Sequence, residues 1–234
     1  MPDNEAEGNA TAQVASSVGI AMQVNATIRV NLAVQHILAA ARFSREVGQI
    51  ESEHRGAQFG PFWEGLFHCS TACVLTAVAS LEAYANEVFA DRKEVFSQYP
   101  TSLMDELWKT YEEKSILEKY EFALLLLSKP PMDRGAAPYQ DVKALIDLRN
   151  GLTHFKPEWM NEADEHAKIS QKLAYKFDGS PFLPSDELLF PRRWASHSCT
   201  QWAVRSALAF ANSFEQAAEL PKKYNVNDLA KLAP

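Results

Sequence analysis

Arg149, Asn150 and His154 are the residues whose types and spacing best suit chemistry on a charged substrate. An arginine presents a rigid fork of N–H donors to an anion. An imidazole moves protons near neutral pH, and an amide beside the arginine can orient it or bind an oxygen. A cation and a proton carrier held together suit a reaction in which charge builds on an oxygen while a proton is transferred. Val142, Leu145, Leu148, Leu152 and Phe155 recur at helical spacing around the three. They predict an amphipathic helix with its apolar stripe toward a core. Arg149, four residues after Leu145, falls on the edge of that stripe, where a guanidinium needs something to meet its donors. His154 follows in the last turn, and Pro157 closes the helix. Five helical steps separate Arg149 from His154, about 140° in azimuth and roughly 7.5 Å along the axis. The two should flank a shared groove, with Gly151 removing bulk between them.

The elements that must position these residues read as helices. Phe62 to about Ser97 predicts one long helix ended by Tyr99-Pro100, apolar on most faces between Cys69 and Val88 and so central to a bundle. Within it Glu82 and Asn86 are four apart on one face. A buried carboxylate needs a cation, and Arg149 is the economical partner; on spacing alone the pair suits a solvated stripe equally well. A helix near Asn25 to Ile50 precedes it, although Ile28 to Val34 also alternate like a strand. A third helix is predicted from Thr101 or Ser102 through Leu127, stopped by Pro130-Pro131. After Pro157 come a short charged helix (Glu162 to Lys172), a small hairpin turning at Asp178-Gly179, and a proline-interrupted stretch forming an irregular insertion near 156–190. A final helix is expected from about Arg192 to Leu220. Arg192 and Arg193 at its start, where the helix dipole disfavours cations, are candidate phosphate contacts, as is Lys156.

The whole chain is 234 residues with 47% apolar content, enough for one substantial core. Its formal charge is −7, so binding to a long polyanion would require a local basic patch. Three cysteines make no disulfide framework and fit a reducing compartment. Cys69 and Cys73, with His68, His197 and Cys199, match no common zinc spacing, so they are read as structural and no metal is expected. The opening residues lack a secretion signal, and no apolar run approaches a membrane span, which predicts a cytoplasmic protein with no membrane partner. The expected organisation is a disordered tail over 1–24, a single helical domain over 25–220, and a C-terminal tail over 221–234.

The run Arg149-Asn150-Gly151-Leu152-Thr153-His154 on an apolar helix resembles the Arg-X4-6-His motif of HEPN domains. Ser80-Leu-Glu-Ala-Tyr84 resembles the Ser-Leu-Glu-aromatic stretch of some HEPN-like proteins. The resemblance covers residues 62 to 155 with the last helix, and neither the N-terminal portion nor 158–190. It implies an all-α antiparallel bundle of four to five helices. It further implies a metal-independent endoribonuclease without cofactors, often a toxin or defence effector, working as a homodimer whose two motif helices line one cleft. Arg149, Asn150 and His154 would be catalytic, Glu82 and Asn86 supporting, and RNA the substrate, with an antitoxin or defence protein as partner. One toxin subgroup carries, two residues after the histidine, a tyrosine modified by a partner nucleotidyltransferase. Lys156 stands there in this chain, which argues against that mode of control. The competing expectation is a non-catalytic HEPN-like module that binds a nucleotide or a partner protein.

Overall fold

The computed structural model describes residues 11–15, 21–25, 29–159, 162 and 164–224. The chain divides into one unit ending at Asn31 and another beginning at Leu32. In the first, Thr11–Ala15 (β1) pairs antiparallel with Ala21–Asn25 (β2), Thr11 opposite Asn25. A disordered tail was expected over 1–24. Valine in each strand suits this short hairpin, and the rest of that stretch lies outside the described residues, as do 225–234 of the expected C-terminal tail.

The second unit is all-α. Among the described residues it has eight α-helices: Ala33–Glu53 (α1), Phe62–Ala90 (α2), the single turn Arg92–Val95 (α3), Thr101–Tyr111 (α4), Ile116–Leu126 (α5), Ala137–Thr153 (α6), Asp164–Leu173 (α7) and His197–Ala218 (α8). A π-helical turn, Leu189–Arg193, precedes the last. Helix α2 packs against α1, α5, α6 and α8, which explains its broad apolar surface. Contrary to the expectation that no apolar run approaches a membrane span, it is long and apolar enough to cross one by length and composition; here its buried face serves as the core of the bundle. Against it α1 buries Ala33, Ala40 and Ala41, small side chains that let the two axes approach closely.

Three sequence expectations are revised by local chemistry. The third helix is two, because Ser115 opens α5 as an N-cap: its hydroxyl accepts the Glu118 N–H at 3.4 Å, and the Glu118 carboxylate accepts the Ser115 N–H at 3.0 Å. The final helix starts at His197, where the Ser196 hydroxyl accepts the Cys199 N–H at 3.0 Å. The hairpin after Leu173 does not form. Its backbone is tied to the start of α8, the Ser198 hydroxyl accepting the Asp178 N–H at 3.0 Å and the Ser196 hydroxyl donating to the Asp178 carbonyl at 2.7 Å.

Candidate functional site

Helix α6 carries the motif. Pro138 sits in its first turn, where its missing N–H costs nothing and its φ suits a helix. Tyr139, Val142, Leu145 and Leu148 are buried, as the apolar stripe requires. The helix closes at His154, whose φ of −113° and ψ of 37° leave the helical region while its N–H still reaches the Asn150 carbonyl at 2.9 Å. Phe155 therefore leaves the stripe. Its ring is 48% exposed, so it belongs to the surface and not to the core as its spacing suggested.

Asn150, Thr153 and His154 are exposed, and Arg149 is half-buried. Among the described residues Arg149 makes no ion pair, and its Nε is shut away from solvent with no hydrogen-bond partner. A buried unmatched donor costs about 1–3 kcal/mol. The expected groove past Gly151 is filled. A Cβ there would come within 2.8 Å of Ile169 Cδ1 and 3.3 Å of the Phe190 ring, so the glycine admits α7 and the π-turn against α6. Phe155 extends this contact, its ring centroid 5.4 Å from His166 and 6.0 Å from Phe190. Four residues further along the chain Trp159 is 80% exposed, so two exposed aromatic residues follow the end of the motif helix.

The expected Glu82–Arg149 pair is absent. Glu82 is nearly half exposed and lies 3.8 Å from Lys119 Nζ, and Asn86 Oδ1 accepts from the same ammonium at 3.0 Å. Lys119 is the buried member of that group, with its charge also 5.7 Å from the Trp108 ring centre. Glu82 and Asn86 thus support α5, and no contact ties them to the motif.

The buried carboxylate of α2 is Glu87, which the sequence reading passed over. Its Oε1 accepts the Leu32 N–H at 2.8 Å and the Ala33 N–H at 2.9 Å, and Oε2 meets Lys223 Nζ. It caps α1, which begins without a side-chain cap of its own. Spacing could have found it, because Ser80, Tyr84 and Glu87 share one helical face and all three are buried. A second buried acid, Glu215 of α8, accepts the Tyr84 hydroxyl at 2.9 Å and the Lys223 N–H at 2.7 Å.

The basic residues behave differently from one another. Arg192, expected to be open to phosphate, is committed to Glu187 by two bonds of 3.0 and 2.9 Å. Arg193 donates its Nε to the Glu187 carbonyl at 2.7 Å and makes no ion pair among the described residues. The Lys156 side chain is exposed, while its carbonyl meets His166 Nε2 at 2.9 Å. Cys73 and Cys199 are buried, and burial pushes both thiols up. Among the described residues no group of three or more metal-ligating side chains is assembled. Comparison with protein-family models, curated proteins and solved structures finds no match to this chain.

Proposed function

We propose that this protein is a metal-independent endoribonuclease of HEPN type, a toxin or defence effector acting in the cytoplasm, whose active site is completed when two copies bring their α6 ends together. The observation that carries the reading is the state of Arg149: a guanidinium with a buried, unmatched Nε, beside exposed Asn150 and His154 at the end of one helix. In this reading the bundle of α1, α2, α5, α6 and α8 is HEPN-like. Arg149 stabilises charge on the phosphorane, Asn150 binds a phosphate oxygen or orients the arginine, and His154 moves the proton of the attacking 2′-hydroxyl. Lys156 is free to meet the RNA backbone, whereas Arg192 is not assigned that role because Glu187 neutralises it. The bond from the 2′-oxygen to phosphorus forms as the bond to the 5′-oxygen breaks, and the departing 5′-oxygen takes up a proton, leaving a 2′,3′-cyclic phosphate and a 5′-hydroxyl.

The test is cleavage of structured and single-stranded RNAs by wild type, Arg149→Ala and His154→Ala. Loss of about 10²–10⁴-fold is expected for His154→Ala and about 10²–10³-fold for Arg149→Ala, with helix content unchanged. Cleavage should survive EDTA, and a 2′-deoxy substrate should resist. Cleavage that persists in both variants removes α6 as the site. The net charge of −7 favours the second reading, a non-catalytic module that binds a nucleotide or a partner protein. An inactive wild type that still binds RNA or nucleotide would support it.

A further inference from the structure

A cavity of about 500 Å³ opens between α7 and the segment 177–193, lined by Gln171, Tyr175, Phe177, Asp178, Asp186 and Arg193 among others. Arg193 lies across Gly179, where a Cβ would stand 2.5 Å from its Nη1, one residue from Asp178 in the chain. Among the described residues neither Asp178 nor Asp186 forms an ion pair with it or with any other cation, and its only side-chain bond is the one from Nε to the Glu187 carbonyl. Glu187 is already neutralised by Arg192. The cavity therefore offers one guanidinium and two carboxylates with nothing across from them, beside the apolar walls of Phe177, Leu188 and Leu189.

Tyr175 stands at the edge of the same cavity. It holds a φ of +64°, a left-handed conformation that costs a non-glycine residue free energy, while its side chain is fully exposed. Among the described residues its ring stacks on no other. A tyrosine kept in this posture at the mouth of a cavity presents both faces of its ring to a ligand.

We propose that this cavity binds a zwitterionic ligand, a free amino acid with a large apolar or aromatic side chain. Its carboxylate would take the fork of Arg193 and its ammonium the carboxylates of Asp178 and Asp186, with the side chain against Phe177, Leu188 and Tyr175. A phosphate ester fits less well, because two unpaired carboxylates against one arginine repel a dianion. The site is separate from the α6 motif and does not depend on the nuclease reading.

The experiment is calorimetric titration of the full chain with L-phenylalanine, N-acetyl-L-phenylalanine and L-phenylalanine amide, the last two lacking one charge each. Saturable binding is expected for L-phenylalanine and about 10- to 100-fold weaker binding for both derivatives, the worth of a hydrogen bond to a charged group. Arg193→Gln should weaken binding by a similar factor. Asp186→Asn, at an exposed position, should do the same, and Tyr175→Asn should weaken it while tolerating the left-handed backbone. Absence of binding at 10 mM, on the order of the weakest affinity such contacts would leave, overturns the proposal. So does equal binding of the N-acetyl derivative, or an affinity unchanged in Asp186→Asn. Nucleoside monophosphates that bind more tightly than L-phenylalanine overturn it too.

Discussion

Replacing Glu87 by alanine should loosen the start of α1 from the rest of the bundle. The carboxylate accepts two backbone N–H groups there, those of Leu32 and Ala33. Ala33 is fully buried, so its donor would lose its partner with no water to replace it, at about 1–3 kcal/mol. Leu32 is 47% exposed, and its N–H is nearer solvent. Its loss is closer to that of an ordinary cap, roughly 0.5–2 kcal/mol. Lys223 keeps a side chain 21% exposed and can rehydrate, so it adds little. The sum is about 1.5–5 kcal/mol for Glu87→Ala. Glu87→Gln retains an acceptor oxygen and nearly the same volume. It forfeits the attraction between a full charge and the helix end, about 1 kcal/mol, together with the ion pair to the partly exposed Lys223. Glu82→Ala, five residues away but nearly half exposed, should fall within about 1 kcal/mol of wild type. Urea melts of the three variants decide the matter, with amide exchange at residues 33–37 reporting where the loss falls. Glu87→Ala within about 0.5 kcal/mol of wild type would refute the cap. A Gln variant as damaged as the Ala variant would show that charge, and not acceptance of the two N–H groups, is what matters.

Two helical glycines, Gly65 in the first turn of α2 and Gly48 within α1, should respond in opposite directions to alanine. At Gly65 a Cβ meets only Ile50 Cδ1 at 3.8 Å, so the change should stabilise by about 0.5–1 kcal/mol through helix propensity. At Gly48 it would stand 2.8 Å from two His197 ring atoms, and overpacking of about 1–3 kcal/mol should outweigh that gain; equal shifts in melting midpoint would refute the contrast. His197 itself predicts a pH dependence. Burial first, then the Arg205 charge, holds its imidazole below the ordinary histidine range. The unfolded chain thus takes up this proton at higher pH than the folded one. The stability His197 contributes is complete above about pH 6.5 and is lost as pH falls through the folded value. Urea midpoints should drop between pH 7.5 and 5.5 in wild type and drop less in His197→Gln; parallel curves would reject this account.

Helical periodicity made the order of elements legible, because an apolar stripe needs only its own residues to show itself. The start of α2, the end of α6 near Pro157 and the body of α8 all follow from it. The breaks were legible too, had capping chemistry been weighed against the stripe. Ser115 and Glu118 are spaced as a capping box, but the apolar residues on either side invited one continuous helix through Leu127. What a single stripe does not reveal is the surface that lies across from it. Glu82 and Glu87 sit on the same helix, and only the arrival of α1 and Lys223 at one of them, and of Lys119 at the other, separates a buried cap from a half-exposed ion pair. The same limit governs the α6 site. Sequence singled out Arg149 and His154 as candidates, but the filling of the space beside Gly151 depends on Ile169 and Phe190, from a segment that reads as an irregular insertion. That filling directs attention outward. With the inner face of the motif occupied, the proposed chemistry at His154 would use the solvent side of the helix end, where Asn150, Thr153 and His154 are exposed and the chain beyond them exposes Phe155 and Trp159. Exposed aromatic residues that follow a half-buried cation in the chain are suited to cover by a second copy, burying the rings while bringing two arginines to one phosphate. Phe155→Ser with Trp159→Ser should then reduce dimerisation and RNA cleavage in parallel, as light scattering and cleavage assays would show. A dimer unaffected by the double change would place the interface elsewhere and leave α6 without its second half.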